Sequence, residues 1–495
     1  MKKYINILLV TMVVSACSLA PKYEQPKMDL PDSWEHLDTT GQKYDGRLWW
    51  QRFNDATLNT LVEEGLQNNQ NLLVAVARLE QMRASWGVER AGMFPTLSTT
   101  VGASIGQQSK QIYGSNKVTD QYQISVGLNY EIDFWGKMYN LSEVAKAQYL
   151  TAEANREIVR LELISNIITS YFNIITLERQ FDFINETLTA IQKQLTIRQQ
   201  ELQYGVITLS DLKQMEAQVA SLETTKAQLD SVLIEARSSL LLLLGRSPRE
   251  MLTKKLSFPD ATIDFTRDYE VSPGLPSNIL LRRPDIYQAE QAIRGANANI
   301  GVARSLYFPS ISLNAVVGVL SKDINRVFAP DTFTWNAGVT SNAPLFAGGK
   351  IIYQNRIAKA AQKEAIAQYQ LAVQNAYKDV ISSLSQLQQT KIALESALTE
   401  NNAYKETFML TEQQFNAGQV NYFQYLSILQ SYIASQERLL IAQKNRVLAV
   451  VASYKSLGGD WEDPKYKKTD KDDTPSSMFN NATQDIKEGI KDTKE

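Results

Sequence analysis

Few residues in this chain could carry catalytic or metal chemistry. Among 495 residues there is one cysteine, Cys17, and one histidine, His36. A single histidine excludes metal sites built from several imidazoles and weakens most general-base schemes. The sequence also lacks a P-loop, a G-x-G-x-x-G fingerprint and a C-x-x-C pair. We therefore predict no enzymatic activity, no metal and no cofactor, and we expect His36 to be a solvated residue.

The charge balance argues against nucleic acid as a partner. Lys and Arg total 51 and Asp and Glu total 53, so the formal net charge is −2. No large basic field exists that could hold a polyanion. Outside the extreme N-terminus we identify no apolar run of about 18 residues, the length that a membrane-spanning helix requires. Any passage through a membrane is therefore expected to use β-strands.

The N-terminus has the organisation of an export signal. A basic start is followed by a short apolar core at residues 5–14 and then by small residues. The four residues that end at Cys17 resemble a lipobox, which predicts a signal peptide at 1–16 and a covalent lipid on Cys17. The alternative is a plain signal peptide with an incidental cysteine. Ser18 lacks the charge of an inner-membrane retention signal, so the resemblance points to the outer membrane.

The chain contains one long internal duplication. Phe94-Pro95-Thr96 recurs as Phe308-Pro309-Ser310, and three further landmarks recur downstream at nearly the same spacing. These are Phe134 to Lys137 with Phe346 to Lys350, Tyr204-Gly205 with Ala417-Gly418, and Leu244-Gly245 with Leu457-Gly458. The offset stays near 213 residues, which indicates that a whole structural unit was duplicated.

Each copy is predicted to contain a helix, two strands, a very long helix, a turn and another helix. Predicted strands lie at 96–107, 122–134, 311–320 and 335–345. Predicted helices lie at 58–90, 138–203, 209–244, 286–305, 351–416 and 422–457.

The strand segments have the alternation of a barrel wall. Residues 122–134 alternate between apolar and polar side chains, and aromatic residues lie at both ends. Four strands cannot close a barrel, and lipid tolerates no open sheet edge. If the strands span a membrane, several chains must share one barrel, and a trimer would supply twelve strands. The alternative is a half-buried sheet of a soluble domain.

The long helices predict packed hairpins. The segment 138–203 contains neither proline nor glycine, and its helix would be roughly 100 Å long at 1.5 Å per residue. The following helix repeats apolar residues at spacings of three and four from Leu212 to Leu243, interrupted only by Lys226. This heptad pattern indicates an antiparallel coiled-coil pair that ends in a glycine turn.

These features together resemble the TolC-like outer-membrane efflux factors. The resemblance is to their lipoprotein (NodT-type) branch, which serves resistance-nodulation-division multidrug pumps, and it covers residues 17–461. The most specific stretches are Ala20 to Pro26, Trp49-Trp50, and Leu275 to Ile286 with its Arg282-Arg283-Pro284-Asp285 core. The implied fold is membrane α+β: a trimeric twelve-stranded outer-membrane barrel, four strands per chain, continuous with a periplasmic α-helical coiled-coil tunnel.

The resemblance implies a passive, gated exit channel of a tripartite efflux pump. Such a channel carries drugs or other small toxic compounds to the exterior, with a periplasmic adaptor and an inner-membrane transporter as partners. The expected organisation follows the duplication. It comprises a signal peptide (1–16), a lipidated arm (17–55), a first repeat (56–250), a linker (251–277), a second repeat (278–461) and a charged flexible tail (462–495).

The resemblance also assigns roles to the two hairpin tips, near residues 205 and 418. It implies adaptor docking at Gly205, Val206, Gly418 and Val420. Related channels place carboxylates just after the second tip, but this chain has none there. We therefore expect an aperture formed by Tyr422, Phe423 and Gln424. Alternatively, these side chains face neighbouring helices.

Two other functions are compatible with parts of the sequence. A channel of the same architecture could serve protein secretion. A periplasmic coiled-coil scaffold without a pore would need neither duplicated strand pairs nor alternation along them. We expect the efflux channel, located in the outer membrane and anchored by lipid.

Overall fold

The structure repeats one order of elements twice. It is a computed structural model that describes residues 18–31, 48–107, 109–114, 116–253, 256–258 and 283–461. The helices are α1 (Ala56–Asn68), α2 (Gln70–Ala91), α3 (Lys110–Tyr113), α4 (Lys137–Gln203), α5 (Leu209–Leu243), α6 (Pro248–Thr253), α7 (Pro284–Ser305), α8 (Lys350–Asn416) and α9 (Tyr422–Ser456). The strands are β1 (Thr96–Gln107), β2 (Val118–Ile132), β3 (Ser310–Ser321) and β4 (Phe333–Asn342).

The duplication is retained residue for residue in the long helices. Helices α4 and α8 each contain 67 residues, and α5 and α9 each contain 35. The first pair begins at Lys137 and Lys350, and the second pair begins at Leu209 and Tyr422. Both pairs are therefore 213 residues apart, and the predicted duplication is confirmed.

The four strands form one antiparallel sheet in the order β1-β2-β3-β4. In β1 and β2, Leu97 lies opposite Leu128. Leu128 in turn lies opposite Ala315 of β3. Because directly opposed residues share a face, this register carries the apolar positions of each strand onto one face of the sheet.

The predicted boundaries differ from the structure at three main places. The strand expected at 122–134 lies at Val118–Ile132. The single helix expected at 58–90 is divided into α1 and α2 at Asn69, which has an extended backbone (φ −65°, ψ 123°). The Asn69 side-chain amide donates to the Leu243 carbonyl oxygen at 2.8 Å. The fourth strand was expected to reach residue 345 but ends at Asn342; Pro344 follows closely and has no N–H to donate to a ladder.

Two compact units can be described separately. The first comprises Met1–Asp29, Gln70–Val159 and Gln288–Gln374, and it holds the sheet. The second comprises Leu30–Asn69, Arg160–Tyr287 and Asn375–Glu495. A core of the second unit is aromatic, since Trp49 is fully buried and stacks on Tyr454 with 5.2 Å between ring centroids.

Helix α4 contains an apolar window of 18 residues, although the sequence was expected to have no such run outside the extreme N-terminus. Eighteen of its residues have a mean hydropathy of 1.3, which is apolar enough for a membrane span. However, 56% of that window is buried inside the protein. Burial of this kind is typical of a core helix, since a helix hydrophobic on most sides is covered by its neighbours.

Candidate functional sites

The outer strands of the sheet present unpaired backbone edges. Among the described residues, β1 pairs only with β2, and β4 pairs only with β3. All twelve residues of β1 and all ten of β4 are exposed. Long exposed edges of this kind are templates for pairing with another chain. The sheet of one chain therefore ends in two unpaired edges, each able to accept a further strand.

The two faces of the sheet differ in polarity. One face carries rows of apolar side chains, for example Val101 beside Ile124 and Val319. The opposite face is small, polar and largely uncharged. Its members include Ser98, Thr100, Ser125, Asn129, Asn314, Asn336 and Thr340. An apolar face suits lipid and a polar face suits water, which is the pattern of a membrane barrel with a wet interior.

Both hairpin tips use the same helix-ending motif. Gly205 has a φ of +74° and Gly418 a φ of +72°. At the first tip the amides of Gly205 and Val206 donate to the carbonyl oxygens of Leu202 and Glu201, at 3.0 and 2.9 Å. The second tip repeats both bonds, at 3.0 and 2.8 Å. These are Schellman motifs, in which the glycine supplies the left-handed conformation.

A side-chain cap begins the returning helix at each tip. The Thr208 hydroxyl accepts from the Asp211 amide, and the Asp211 carboxylate accepts from the Thr208 amide, so the two form a capping box. At the second tip Asn421 Oδ1 accepts from the Gln424 amide at 2.9 Å. Thr208 is thus the N-cap of α5, and Ser210 lies inside the helix.

The four predicted docking residues lie in the five-residue turns between the long helices. Val206 is 67% exposed. A Cβ built on Gly205 or Gly418 meets no atom within 4 Å, so open space surrounds both glycines. Val420 is different, because its side chain is partly buried against the core beneath the tips.

The three predicted aperture residues have different environments. Tyr422 is buried, with 8% of its surface exposed, and its ring lies 6.0 Å from that of Phe415. Burial raises the pKa of Tyr422 to about 12, so its hydroxyl stays neutral at ordinary pH. Phe423 is 70% exposed, and Gln424 is also exposed. Only Phe423 and Gln424 present their side chains to solvent in the chain itself.

An aromatic core joins the two hairpins beneath the tips. Residues from all four long helices contribute to it. The Arg198 guanidinium lies 4.4 Å from the centre of the Phe415 ring, a cation–π geometry. Phe415 stacks on Tyr425 at 4.7 Å, and Gln194 Nε2 donates to the Tyr425 hydroxyl at 3.3 Å. The sequence reading missed Arg198 and Gln194, because helical periodicity gives no sign of contacts between hairpins.

The start of the N-terminal arm is fastened to the unit that holds the sheet. The Ser18 hydroxyl donates to Asn140 Oδ1 at 2.9 Å. Arg304 and Asn297 donate to the carbonyl oxygens of Leu19 and Pro21, at 2.9 and 2.6 Å. Cys17 and His36 lie outside the described residues, as do the signal peptide and the tail at 462–495.

The arm is fastened further along its length. The Tyr23 hydroxyl donates to Glu290 at 3.2 Å, and Arg294 lies 4.2 Å from the centre of the Tyr23 ring. Gln25 Nε2 donates to the Tyr369 hydroxyl at 3.3 Å. The most specific part of the sequence resemblance after the cysteine is therefore a strap over α7 and α8.

The second specific motif has a structural role where it is described. Arg283 donates to the Ser456 carbonyl oxygen at 2.9 Å and to the carboxylates of Asp285 and Asp379, at 2.8 and 3.3 Å. Its guanidinium thereby joins the start of α7 to α8 and to the end of α9. Residues 259–282, which include the rest of the motif and most of the predicted linker, lie outside the described residues.

One pentapeptide has the spacing of a hydrolase nucleophile but not its structure. Gly102-Ala103-Ser104-Ile105-Gly106 matches G-x-S-x-G and lies inside β1. A nucleophile elbow requires a turn between a strand and a helix. The described part of the chain also contains no group of three or more His, Cys, Asp or Glu residues that could hold a metal.

Comparison with known families decides the identity of the fold. The model of the family described as "Outer membrane efflux protein" matches residues 61–246 and 275–459. This chain belongs to that family. The two matched segments correspond to the two copies of the duplication.

Named relatives cover nearly the whole chain. The cation efflux system protein CusC of Escherichia coli is 29% identical over 92% of this chain and 98% of its own length. The toluene efflux pump outer membrane protein TtgC of Pseudomonas putida is 28% identical over 93% and 96%. The probable outer membrane lipoprotein SilC of Salmonella typhimurium is 28% identical over 93% and 99%.

Solved structures confirm the predicted fold class. The Campylobacter jejuni CmeC outer membrane channel superposes with a TM-score of 0.85 at 23% identity, covering 90% of this chain and 96% of that one. The open-state Neisseria gonorrhoeae MtrE channel gives 0.80 at 28% identity, covering 90% and 99%. The chain is thus an outer-membrane efflux channel subunit, with four strands of a trimeric barrel continuous with a helical tunnel.

Proposed function

We propose that this chain forms the exit channel of a tripartite efflux pump and acts as a passive, gated conduit. The observation that carries the proposal is the incomplete sheet, which has unpaired edges at β1 and β4 and whose strands β2 and β4 are followed by the long helices α4 and α8. Three chains would close twelve strands, with β4 of each subunit beside β1 of the next. The polar, largely uncharged face of the sheet would then line the passage.

The same closure gives the energetic reason for a trimer. An unpaired backbone amide or carbonyl in lipid costs several kcal/mol, on the order of what is lost when a polar group is buried without a partner. The exposed backbones of β1 and β4 would each bear this cost repeatedly. Pairing the edges between subunits removes it, and the scaffold hypothesis offers no use for these strands.

Several observations support a lipid anchor on Cys17. The signal sequence ends in a lipobox-like segment, and a relative is named as an outer membrane lipoprotein. The residue after the cysteine, Ser18, is held by Asn140 in the first turn of α4, directly after the end of β2. The lipid would therefore enter the membrane beside the base of the barrel.

The tips would serve as docking points for a periplasmic adaptor. The two tips of one chain have the same turn, the same hydrogen bonds and similar exposure, so a repeated partner surface could engage both. The channel would be passive, so an inner-membrane transporter would supply the energy for export.

Val206 offers a test of docking that leaves the fold intact. We expect Val206→Asp to reduce adaptor capture at least tenfold, because a buried carboxylate without a partner is costly at an interface. Capture of the purified adaptor by the detergent-solubilised trimer measures the effect. Val232→Asp is the control, since that valine is also partly exposed, at 47%, but lies within α5. Equal loss in both variants would contradict docking at the tip.

The aperture is proposed at Phe423 and Gln424, with Tyr422 supporting them from the core. Opening would require the second hairpin to move, which would break the contacts of Phe415 with Arg198 and of Tyr425 with Gln194. The proposed adaptor and transporter would therefore shift the second hairpin between a closed and an open state.

Conductance tests both the channel and its aperture. We expect the lipidated protein to have the mass of a trimer in detergent and a low resting conductance in planar bilayers. Phe423→Ala should raise that conductance several-fold, because the change removes an exposed ring from the constriction. Tyr204→Ala is the control, since Tyr204 is 83% exposed at the first tip.

The possible outcomes separate the parts of the proposal. If the trimer conducts but neither variant changes the conductance, the aperture lies elsewhere. A monomer that never conducts would overturn the shared barrel.

Cargo is proposed by class only. Relatives are named for efflux of cations, of toluene and of antibiotics. The lining side chains of the sheet are small and mostly uncharged, so selection among small toxic compounds would fall to the transporter. Sensitivity of a deletion strain to metal salts, organic solvents and antibiotics, with complementation by this chain, would decide among them.

A further inference from the structure

The junction between β2 and α4 contains an aromatic joint. Trp135 stacks on Phe308 with 4.5 Å between ring centroids and 23° between the ring planes. The Trp135 indole N–H also donates to the Pro309 carbonyl oxygen at 2.8 Å. Trp135 lies just after the end of β2, and Phe308 lies just before the start of β3. The joint therefore fastens the end of β2 to the adjacent start of β3.

The outer strands β4 and β1 carry the parts of a second such joint, but the chain does not assemble them. Leu345-Phe346 follows β4, as Phe134-Trp135 follows β2, and Phe94-Pro95 precedes β1, as Phe308-Pro309 precedes β3. Leu345 is 99% exposed, Phe346 is 91% exposed and Phe94 is 57% exposed. Two large apolar side chains after β4 are thus almost fully in solvent, whereas Trp135 after β2 is packed against Phe308.

The free edges bring these parts together between subunits. Strand β4 can pair with β1 of a neighbouring chain in the antiparallel manner of β2 and β3. In β2 and β3, Ile132 near the joint lies opposite Ile311, so the end of one strand lies beside the start of the other. The same arrangement places the residues after β4 next to the residues before the neighbour's β1.

We propose that Leu345 and Phe346 of each subunit pack on Phe94 and Pro95 of the next subunit. The partner is a second copy of this chain, and the contact reproduces the Trp135–Phe308 joint across the subunit boundary. This inference rests on the trimeric assembly in the proposed function. Because each subunit supplies both halves at different places, the contact is heterologous and closes into a ring.

The intersubunit joint differs from the internal one in its chemistry. Neither Leu345 nor Phe346 has a side-chain N–H, so they cannot repeat the hydrogen bond that the Trp135 indole makes to Pro309. The contact between subunits is therefore apolar only, and the one within each subunit is both apolar and hydrogen-bonded. When the trimer is destabilised, the contact between subunits should therefore break before the contact within each subunit.

Cysteine cross-linking tests the joint directly. The only natural cysteine is Cys17, so a Phe94→Cys, Phe346→Cys double variant reports on one pair of positions. We expect oxidation or a short bis-maleimide to give covalent dimers and trimers of the full-length protein. Two differently tagged single variants, expressed together, should cross-link only to each other.

Two further pairs are the controls. Ile112→Cys with Phe346→Cys should not cross-link, because Ile112 lies beyond the far end of β1, roughly 40 Å from Phe94 at 3.3 Å per residue. Ala103→Cys with Val339→Cys reports on the strand edges alone. By the spacing within the duplication, these two residues correspond to the paired residues Val317 and Val126.

A second measurement uses Phe346→Ala. We expect at least a threefold larger monomer fraction on a gel run after mild heating in detergent. Phe328→Ala is the matched control, since Phe328 is 82% exposed but belongs to the connection between β3 and β4.

The outcomes separate the joint from the trimer. Cross-linking of the Phe94 and Phe346 positions, with a weakened Phe346→Ala trimer, supports the joint. If the Ala103 and Val339 positions cross-link and the wild type has a trimer mass while the phenylalanine pair stays uncoupled, the joint is wrong, and Leu345 and Phe346 face lipid instead. If no pair cross-links and the wild type is monomeric, the assembly in the proposed function has failed as well.

Discussion

At the residue scale, glycine decides where each long hairpin turns. Gly205 and Gly418 hold positive φ angles in open space, so the requirement for glycine is conformational and does not come from crowding. A side chain at either position would strain the backbone without touching a neighbour. The same two residues lie in the turns where docking is proposed, which ties the geometry of the tip to its function.

Gly205→Ala should loosen the first tip without altering its surroundings. We expect the free energy of local opening to fall by about 1–2 kcal/mol, the cost of a left-handed conformation for a residue with a Cβ. Hydrogen exchange of the amides on either side of the turn measures this change.

Gly87→Ala is the matched control for that substitution. Gly87 lies inside α2, and a Cβ there also meets no atom within 4 Å. Alanine at a helical position is favoured over glycine by roughly 1 kcal/mol, so this change should leave the tip unchanged and stabilise α2. Equal loss of protection at the tip in both variants would show that the turn is not the cause.

At the element scale, the hairpins are defined by how each helix ends and begins. The Schellman motif closes α4, and the capping box of Thr208 and Asp211 opens α5. Between them lie only five residues, so the two helices must return antiparallel. The seam predicted along α5 is buried at Leu212, Met215, Val219, Leu222, Leu233 and Leu240. Its one polar member, Lys226, donates to Asn185 Oδ1 at 2.7 Å.

Thr208→Ala should fray the first turn of α5. The expected loss is about 1 kcal/mol, since the variant leaves the Asp211 amide without its side-chain acceptor. Hydrogen exchange at the start of α5 measures the loss. Ser210→Ala is the control and should stay within about 0.5 kcal/mol, as surface substitutions usually do. A larger effect at Ser210 would contradict the capping box.

At the scale of the whole molecule, the sheet of one chain has two outer strands that are available to pair with other chains. The outer strands β1 and β4 are each paired on one side among the described residues, and Leu345 and Phe346 after β4 are almost fully exposed. The N-terminal strap adds a further long-range connection, because it fastens the residue after Cys17 to helices far along the chain. In the proposed function, assembly and lipid anchoring would therefore meet at the base of the barrel.

Releasing the strap should expose it to protease without unfolding the protein. In the double variant Asn297→Ala, Arg304→Ala, the carbonyl oxygens of Pro21 and Leu19 lose their donors. We expect trypsin to cleave after Lys22 at least tenfold faster, while the trimer mass is retained. Arg326→Ala is the control, since its ion pair with Asp331 is exposed. Unchanged cleavage would show that these two bonds do not hold the strap.

The sequence by itself determined the elements and their repetition. Period-two alternation, the long segment without proline or glycine, and the turn glycines are local signals, so the strands, the long helices and both tips could be placed within a few residues. The break at Asn69 was missed because its cause is a contact with Leu243, 174 residues away. The family resemblance was likewise readable from short motifs.

Only the tertiary structure decided which side chains are available. Tyr422, Phe423 and Gln424 are consecutive, yet Tyr422 is buried under the tip and the other two are exposed. Leu345 was predicted to end a strand, but the structure leaves it and Phe346 in solvent after an unpaired edge strand. Exposure depends on what folds against a residue from elsewhere in the chain, and the order of residues does not contain that information.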